Sequence, residues 1–195
     1  MAHDLDFNNE VLKELKPEYI PYPVALRTVD IVPFYYKQEG SWPTINSDFY
    51  FLLGRKPNVD KWQCIGGFVD PSDDSAEIAA SRELKEETGM EIPSTLILGV
   101  SARDIFEAVD FDTYGLFYIG SYKIDDERYM KSSHKIITNL YLVPILYEHL
   151  HDINLKPCDD IEELKWFSKK ELIERKQEII VKKHLNLIDS ILYNA

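Results

Sequence analysis

The segment SAEIAASRELKEETG, residues 75–89, places the strongest constraint on what this chain can fold into. It is rich in Ala, Leu, Glu and Lys, which are good helix formers. Ser75 opens it with an acidic residue close behind, and Gly89 ends it, as is typical of the first and last positions of a helix. The sequence therefore predicts a helix over residues 75–89.

The acidic residues of this helix share a side with its apolar residues. On a helical wheel with the first alanine at zero, the alanines and Leu84 form a stripe from about 300° to about 80°. Glu83 and Glu87 fall inside that stripe, Glu86 lies at its edge near ~280°, and Lys85 points away near ~180°. Two carboxylates are therefore expected to face the core.

Two interpretations of these acids are open. A group of charges on a helix is commonly a solvated face. Burying two carboxylates together, however, costs free energy through desolvation and mutual repulsion unless a positive charge compensates. Oxygen ligands without a neighbouring His or Cys favour a hard cation such as Mg²⁺ or Mn²⁺. Arg82 is a weaker partner, because on the wheel it points away from Glu83 and Glu87 and best reaches Glu86, one turn on.

A pair of glycines, Gly66 and Gly67, precedes the helix. Glycine lets the backbone approach a ligand closely, so a carbonyl oxygen from this pair could be one more metal ligand. The pair could equally be a tight turn without a ligand.

The rest of the chain alternates strand signals with few helices, which predicts an α/β domain with a mixed sheet and helices on its faces. The predicted strands are 26–36, 48–56, 61–70, 94–102, 114–124, 134–146 and 163–168, and one or two helices are predicted within 169–194. A short helix at 8–16 and a proline-containing lead predict an N-terminal extension over residues 1–20, followed by one domain over 21–195.

Composition narrows the classes of partner and location. A net charge of −12 disfavours binding to nucleic acid or to anionic membranes. Cys64 and Cys158 are far apart and outside any CxxC pair, which indicates free thiols in a reducing compartment. The first residues lack a basic and apolar leader, and no apolar run is long enough to span a membrane. We therefore expect a cytoplasmic protein.

The order Gly67, Asp74 and then RELKEETGM resembles the Nudix box, G-x5-E-x7-R-E-U-x-E-E-x-G-U, where U is a bulky aliphatic residue. The second half matches at every specified position. In the first half Asp74 replaces Glu, and six residues instead of five separate it from Gly67. Residues 48–168 as a whole are similar to the ADP-ribose pyrophosphatase-like Nudix domains associated with NAD metabolism.

The resemblance implies a Nudix α/β/α sandwich that uses Mg²⁺ or Mn²⁺ to hydrolyse a nucleoside diphosphate linked to another moiety. ADP-ribose, giving AMP and ribose 5-phosphate, is the leading substrate, with NADH and nucleotide sugars as alternatives. A sensor that binds ADP-ribose without turnover is a further alternative, and related enzymes are often homodimers. By position in the motif, Gly67, Glu83, Glu86 and Glu87 are the expected metal ligands, and Arg82 and Glu86 the expected catalytic residues.

Outside the motif the candidates are individual side chains, each with a simpler alternative. Arg55 and Arg128 match phosphate oxygens in geometry, although isolated arginines are commonly surface residues. The other candidates are Trp62, Phe68 and Tyr129 for stacking on a base or for the core, Glu162 and Glu163 as a late acid or base or as a solvated strand edge, and His134 in a substrate loop or simply exposed.

Overall fold

A computed structural model of the chain describes residues 25–37, 48–92, 96–97, 115–126 and 135–194. The predicted helix at 8–16, the predicted boundary between the extension and the domain, and the candidates Arg128, Tyr129 and His134 lie outside these residues and stay predictions.

In the described residues, seven strands form one sheet. They are β1 (Ala25–Lys37), β2 (Asp48–Arg55), β3 (Trp62–Gln63), β4 (Leu96–Ile97), β5 (Leu116–Ile124), β6 (Lys135–Pro144) and β7 (Glu163–Ser168). Their order is β3-β2-β1-β6-β5-β4, and β7 pairs with β2. The pairs β1–β6 and β4–β5 are parallel and the others antiparallel, which confirms the predicted mixed sheet.

Helices cover both faces of the sheet. Helix α1 (Ala76–Thr88) buries its alanines and Leu84 against one face, together with Val29 and Ile31 of β1. Helices α2 (Lys169–Ile179) and α3 (Leu185–Asn194) pack on the other face, which includes Val32 and Phe34 of the same strand. Side chains of a strand alternate between the faces, so β1 contributes to both cores. The α/β/α sandwich is confirmed.

The ends of α1 lie where the sequence predicts them. The Ser75 hydroxyl oxygen accepts a hydrogen bond from the Ile78 amide at 3.3 Å, and Gly89 adopts a left-handed φ of 72°. These two caps satisfy backbone groups that the helix itself leaves unpaired. They also fix where along the sheet the glutamates of the last turns lie.

The third strand is shorter than predicted. Only Trp62–Gln63 is regular strand, and single bridges from Ile65 and Phe68 to β1 continue its path. The interruption falls at Gly66, whose φ of 141° does not fit a regular strand. The chain therefore turns beside β1, at the place where α1 presents its acids.

Two further expectations can be compared with the described residues. Cys64 and Cys158 are both free, as predicted. Among the described residues, no helix is long and apolar enough to cross a membrane.

Candidate active site

Glu83, Glu86 and Glu87 of α1 differ in burial as the wheel predicts. Glu83 and Glu87 are buried, with 5% and 2% of their surface exposed, whereas Glu86 and Lys85 are exposed. A wholly solvated face is therefore excluded for two of the three acids. Because a buried carboxylate requires compensation, the neighbours of Glu83 and Glu87 decide what the site can do.

Arg82 compensates Glu83 and links it to Glu86. Its Nη1 donates to Glu83 Oε1 at 2.8 Å and to Glu86 Oε2 at 2.9 Å, and its Nη2 donates to the Phe68 carbonyl oxygen at 3.0 Å. The prediction that Arg82 points away from Glu83 is wrong, because a long side chain can fold back along the helix from the direction of its Cβ. The predicted contact with Glu86 is present.

The guanidinium also holds an acid from the loop before α1. Asp73, whose side chain is almost fully buried, accepts from Arg82 Nη2 at 2.8 Å and Nε at 3.2 Å, and from the Asp70 amide at 2.8 Å. Burial disfavours ionisation of Asp73, but these hydrogen bonds outweigh burial and lower its pKa. For Arg82, burial disfavours the charged form, and hydrogen bonding to Asp73 together with the Glu83 charge outweighs it and raises the pKa. Both groups are therefore charged at neutral pH.

These contacts correct the alignment of the loop. Asp73, not the exposed Asp74, contacts Arg82. Asp73 follows Gly67 with five residues between them, so the extra residue of this chain lies between the acid and Arg82. The sequence could have shown this, because the x5 spacing from Gly67 leads to Asp73.

Glu87 occupies the most enclosed position. Its Oε2 accepts from the Gly66 amide at 2.8 Å, and its Oε1 lies 3.9 Å from Lys56 Nζ. Burial raises the pKa of Glu87 well above its ordinary value, and nearby Asp160 raises it further, against the lowering effects of Lys56 and the Gly66 amide. A carboxylate in this condition would be stabilised by a bound cation.

Both glycines have steric reasons for being glycine. A Cβ atom on Gly66 would lie 2.1 Å from the Val29 carbonyl oxygen, and one on Gly67 would lie 2.6 Å from Glu83 Oε1. The Gly67 carbonyl oxygen accepts from the Val29 amide at 2.9 Å, and a carbonyl oxygen has a second lone pair. A tight approach is therefore present, and the predicted role of Gly67 as a metal ligand stays a proposal.

Asp160 is the residue of this site that sequence reasoning missed. It forms a short ion pair with Lys56 and lies beside Glu87. Its Oδ1 is buried and has no hydrogen-bond partner in the described part of the chain. Glu87 and Asp160 lie beside each other, Glu83 lines the same cleft, and all three offer the carboxylate oxygens that a hard divalent cation prefers.

The other predicted candidates lie elsewhere or in other roles. Arg55 Nη2 donates to Glu163 Oε2 at 2.8 Å, and Arg55 Nη1 lies 3.3 Å from Glu162 Oε2, so all three form an ion-pair network at the surface. Trp62 packs edge-on against Phe167, with ring centroids 5.1 Å apart. The structure therefore favours the surface and core alternatives for these residues.

The two glycines and two buried glutamates line an open cleft between β1, the end of α1 and the C-terminal segment. The cation-binding candidates Glu83, Glu87 and Asp160 are among its lining residues. The other lining residues are Thr28, Val29, Asp30, Lys56, Gln63, Phe68, Ile124, Asp126, Ile136, Asp159, Lys183 and His184. A substrate whose phosphates bind at the cation-binding candidates could contact these residues.

Residues 43–188 match the NUDIX domain family, so the chain belongs to that family. A protein of Bacillus subtilis (strain 168), named for a proposed 8-oxo-dGTP diphosphatase activity, is 38% identical over 72 residues, which cover 37% of this chain. The match spans about half, 48%, of that relative's length.

Solved structures of low sequence identity share the fold. The NUDIX domain of Shewanella oneidensis NrtR, solved with ADP ribose, has a TM-score of 0.56 and 20% identity, covering 93% of this chain and 94% of that one. A Francisella tularensis NMN adenylyltransferase/ADP ribose pyrophosphatase was solved with AMP and a Mn ion. It has a TM-score of 0.55 and 18% identity, covering 98% of this chain and 46% of that one. A Listeria innocua mutT/nudix protein has a TM-score of 0.55 and 23% identity, covering 88% and 94%.

Proposed function

We propose that this protein is a divalent-metal-dependent hydrolase of nucleoside diphosphate derivatives, with ADP-ribose cleaved to AMP and ribose 5-phosphate. The observation that carries the proposal is that the buried carboxylates Glu83 and Glu87 line an open cleft, with Asp160 beside Glu87. Two relatives of similar fold were solved with ADP ribose or AMP, which supports this choice of substrate.

Glu83, Glu87 and Asp160 are the residues that would hold Mg²⁺ or Mn²⁺, with the Gly67 carbonyl as a further candidate. The bound cation would neutralise charge on the phosphate oxygens and make a water molecule more acidic. Asp30 and Asp126 lie along the rest of the cleft, where the nucleoside and the leaving group would bind.

The reaction replaces one phosphorus–oxygen bond with another. A water oxygen bonds to one phosphorus, the bridging P–O bond breaks, and the leaving phosphate keeps the electron pair. Glu86 accepts the proton of the water, because it is exposed while Arg82 holds its Oε2 in place. Arg82 also fixes Glu83 at 2.8 Å, so one guanidinium orients both the proposed base and a proposed ligand.

The test is release of AMP from ADP-ribose by the full chain with Mg²⁺ or Mn²⁺, and with neither. We expect Glu86→Gln to lower kcat about 100-fold while the protein stays folded. Glu174→Gln is the matched control, since Glu174 is exposed on α2, on the opposite face of the sheet. The proposal fails if no metal-dependent AMP release occurs, or if the two variants are equally active.

A second candidate is hydrolysis of a modified nucleoside triphosphate such as 8-oxo-dGTP. The Bacillus subtilis relative favours it, since its identity of 38% is higher than that of the three solved structures. NADH and nucleotide sugars are further substrates to be tested. Binding of ADP-ribose without turnover is the non-enzymatic alternative. A sensor would bind ADP-ribose but release no product, and Glu86→Gln would leave its affinity nearly unchanged.

A further inference from the structure

A buried acid that is not one of the cation-binding candidates forms part of the cleft wall. Asp30, on β1, is 5% exposed and lines the cleft next to His184. Its Oδ2 accepts from the Thr138 hydroxyl at 2.6 Å, and its Oδ1 lies 3.5 Å from His184 Nε2. A carboxylate has about four lone-pair positions, so each oxygen can still accept another hydrogen bond from a ligand.

The hydrogen bonds of His184 argue against a metal ion at this wall. Asp30, Cys64 and His184 are close enough together to suggest one. The Cys64 amide, however, donates to His184 Nδ1 at 3.0 Å, so the proton of the neutral ring is on Nε2, the nitrogen that faces Asp30. Nε2–H is a donor and has no lone pair for a metal ion.

His184 also leaves the charge of Asp30 uncancelled. Burial lowers the pKa of His184 to about 4, against the opposite effect of Asp30, so the ring is neutral at pH 7. The nearby cation Lys183 is 3.4 Å from Asp126, another acid of the same wall. The wall therefore presents hydrogen-bond acceptors with negative charge, which repels phosphate and attracts neutral N–H donors.

Apolar side chains of the cleft define the shape of the ligand that could reach Asp30. Phe68, Ile124 and Ile136 line the same cleft as Asp30. A flat aromatic ring can lie against such side chains while its edge reaches the carboxylate. A ribose ring carries hydroxyl groups around its edge and fits apolar walls less well. The chemistry of this wall is that of a site for a nucleobase with an amino group.

We propose that Asp30 determines base specificity by accepting a hydrogen bond from the exocyclic amino group of a purine. The inference rests on the proposed function, because it assumes that the phosphates bind at Glu83, Glu87 and Asp160. Thr138 and His184 are positioning residues, which hold the carboxylate through its other lone pairs. Adenine and guanine both carry an amino group, whereas hypoxanthine has a carbonyl oxygen or a hydrogen atom at those positions.

The experiment is calorimetric binding of AMP, GMP and IMP to the full chain with Mg²⁺. We expect the unaltered protein to bind AMP or GMP at least about tenfold more tightly than IMP, since hydrogen bonds to a charged acceptor are strong. In Asp30→Asn that preference should shrink or invert, because the new amide can donate to the carbonyl of IMP. Asp189→Asn is the matched control on α3, where Asp189 pairs with Lys176 outside the cleft, and it should keep the preference.

Each contrary result overturns the inference. If the unaltered protein binds IMP as tightly as AMP and GMP, or more tightly, the inference is overturned. This result needs no variant, so it decides the question even if Asp30→Asn does not fold. An equal loss of affinity for AMP, GMP and IMP in a folded Asp30→Asn would show a structural role. AMP, GMP and IMP have no diphosphate bond to cleave, so their binding is measured independently of catalysis. If the protein binds AMP or GMP selectively but releases no AMP from ADP-ribose, the proposed function is refuted and the inference is retained.

Discussion

Among single side chains, Arg82 makes the contacts that bind the loop, Glu83 and Glu86 into one site. It donates to Asp73, Glu83, Glu86 and the Phe68 carbonyl from one planar group. Lysine keeps the charge but cannot reproduce this fork. We expect Arg82→Lys to lower the free energy of unfolding by about 1–3 kcal/mol, because buried acceptors lose their donors. It should lower kcat by about 10- to 100-fold, because Glu86 is no longer oriented.

Arg175→Lys provides the control in urea unfolding and in the ADP-ribose assay. Arg175 is 53% exposed on α2 and pairs with Glu171 and Glu178 at 3.7 and 3.4 Å. Surface pairs contribute little, so its replacement should change stability by less than about 0.5 kcal/mol and leave kcat unchanged. Similar effects of the two substitutions would remove Arg82 from the proposed mechanism.

The paired glycines predict two different consequences of adding one methyl group. In Gly67→Ala the new Cβ would lie 2.6 Å from Glu83 Oε1, so the carboxylate must move. We expect Mg²⁺ to bind about 10- to 100-fold more weakly, as when a group that orients a ligand is lost. In Gly66→Ala the Cβ meets the Val29 backbone at 2.1 Å and φ is 141°, so the loss should be mainly in stability, about 2 kcal/mol or more.

Gly120→Ala is the comparison for both glycine variants. The atoms nearest to its Cβ would be the ring and hydroxyl of Tyr122, at 3.2 Å, and that side chain can adjust. We expect little change in thermal unfolding or in Mg²⁺ titration. If Gly67→Ala bound Mg²⁺ like the unaltered protein, Glu83 would not be a ligand.

The burial of a site residue could be predicted from the sequence where it depends only on neighbouring positions in the chain, whereas contacts made by long side chains could not. The burial of Glu83 and Glu87 follows from the helical period alone, and the wheel gives it correctly. The contact between Arg82 and Glu83 does not, because a wheel describes the direction of Cβ and not the path of a long side chain. Choosing Asp74 over Asp73 had a similar cause, since a count back from Arg82 does not say where an extra residue is accommodated.

Between secondary-structure elements, the decisive contact joins the end of α1 to the loop before β7. The Lys156 amide donates to the Thr88 carbonyl at 2.9 Å, and the Cys158 amide to the Glu87 carbonyl at 3.1 Å. Carbonyls at the end of a helix have no partner within it, so this loop satisfies them. The same loop carries Asp160 to the Glu87 carboxylate. No local pattern in the sequence indicates this pairing of segments some 70 residues apart.

A late acid of the site could be Asp160 or Glu162, which are two residues apart. Separate substitutions distinguish the two residues. Asp160 contacts Lys56 and lies beside Glu87, whereas Glu162 is exposed and pairs with Arg55. We expect Asp160→Asn to weaken activation by Mg²⁺ and to lower ADP-ribose turnover by at least about tenfold. Glu162→Gln should have near-normal turnover. A larger loss of turnover in Glu162→Gln than in Asp160→Asn would instead support Glu162, the position expected from the sequence, as the late acid.

Across the folded chain, the acidic cleft explains how a protein of net charge −12 could take an anionic substrate. Glu83, Glu87, Asp160, Asp30 and Asp126 all line the cleft. A bound cation would reverse the local potential at Glu83, Glu87 and Asp160, where phosphates would bind. The mixed sheet and both helix layers agree with the sequence pattern, because strand alternation and helix caps are local. The homodimer, the cytoplasmic location and the boundary at residue 20 stay predictions.

Binding of the cation should stabilise the fold in a way that depends on pH. In the metal-free protein the pKa of Glu87 is raised above its ordinary value of 4.5. The stability that comes from its protonated form is fully present below pH 4.5 and is lost as pH rises through the raised pKa. Cation binding requires the ionised form, so the stabilisation by Mg²⁺ should increase as pH rises.

Thermal unfolding with EDTA or with Mg²⁺, at pH 6 and at pH 8, tests this coupling. At a concentration a hundredfold above its dissociation constant, Mg²⁺ should add about 2.7 kcal/mol, which raises Tm by several degrees in a chain of this size. We expect a larger rise at pH 8 than at pH 6. Glu87→Gln should unfold at a higher temperature than the unaltered protein in EDTA at pH 8, since the neutral amide avoids burying a charge, and should gain much less from Mg²⁺. An equal Mg²⁺ effect in both proteins would show that Glu87 does not hold the cation.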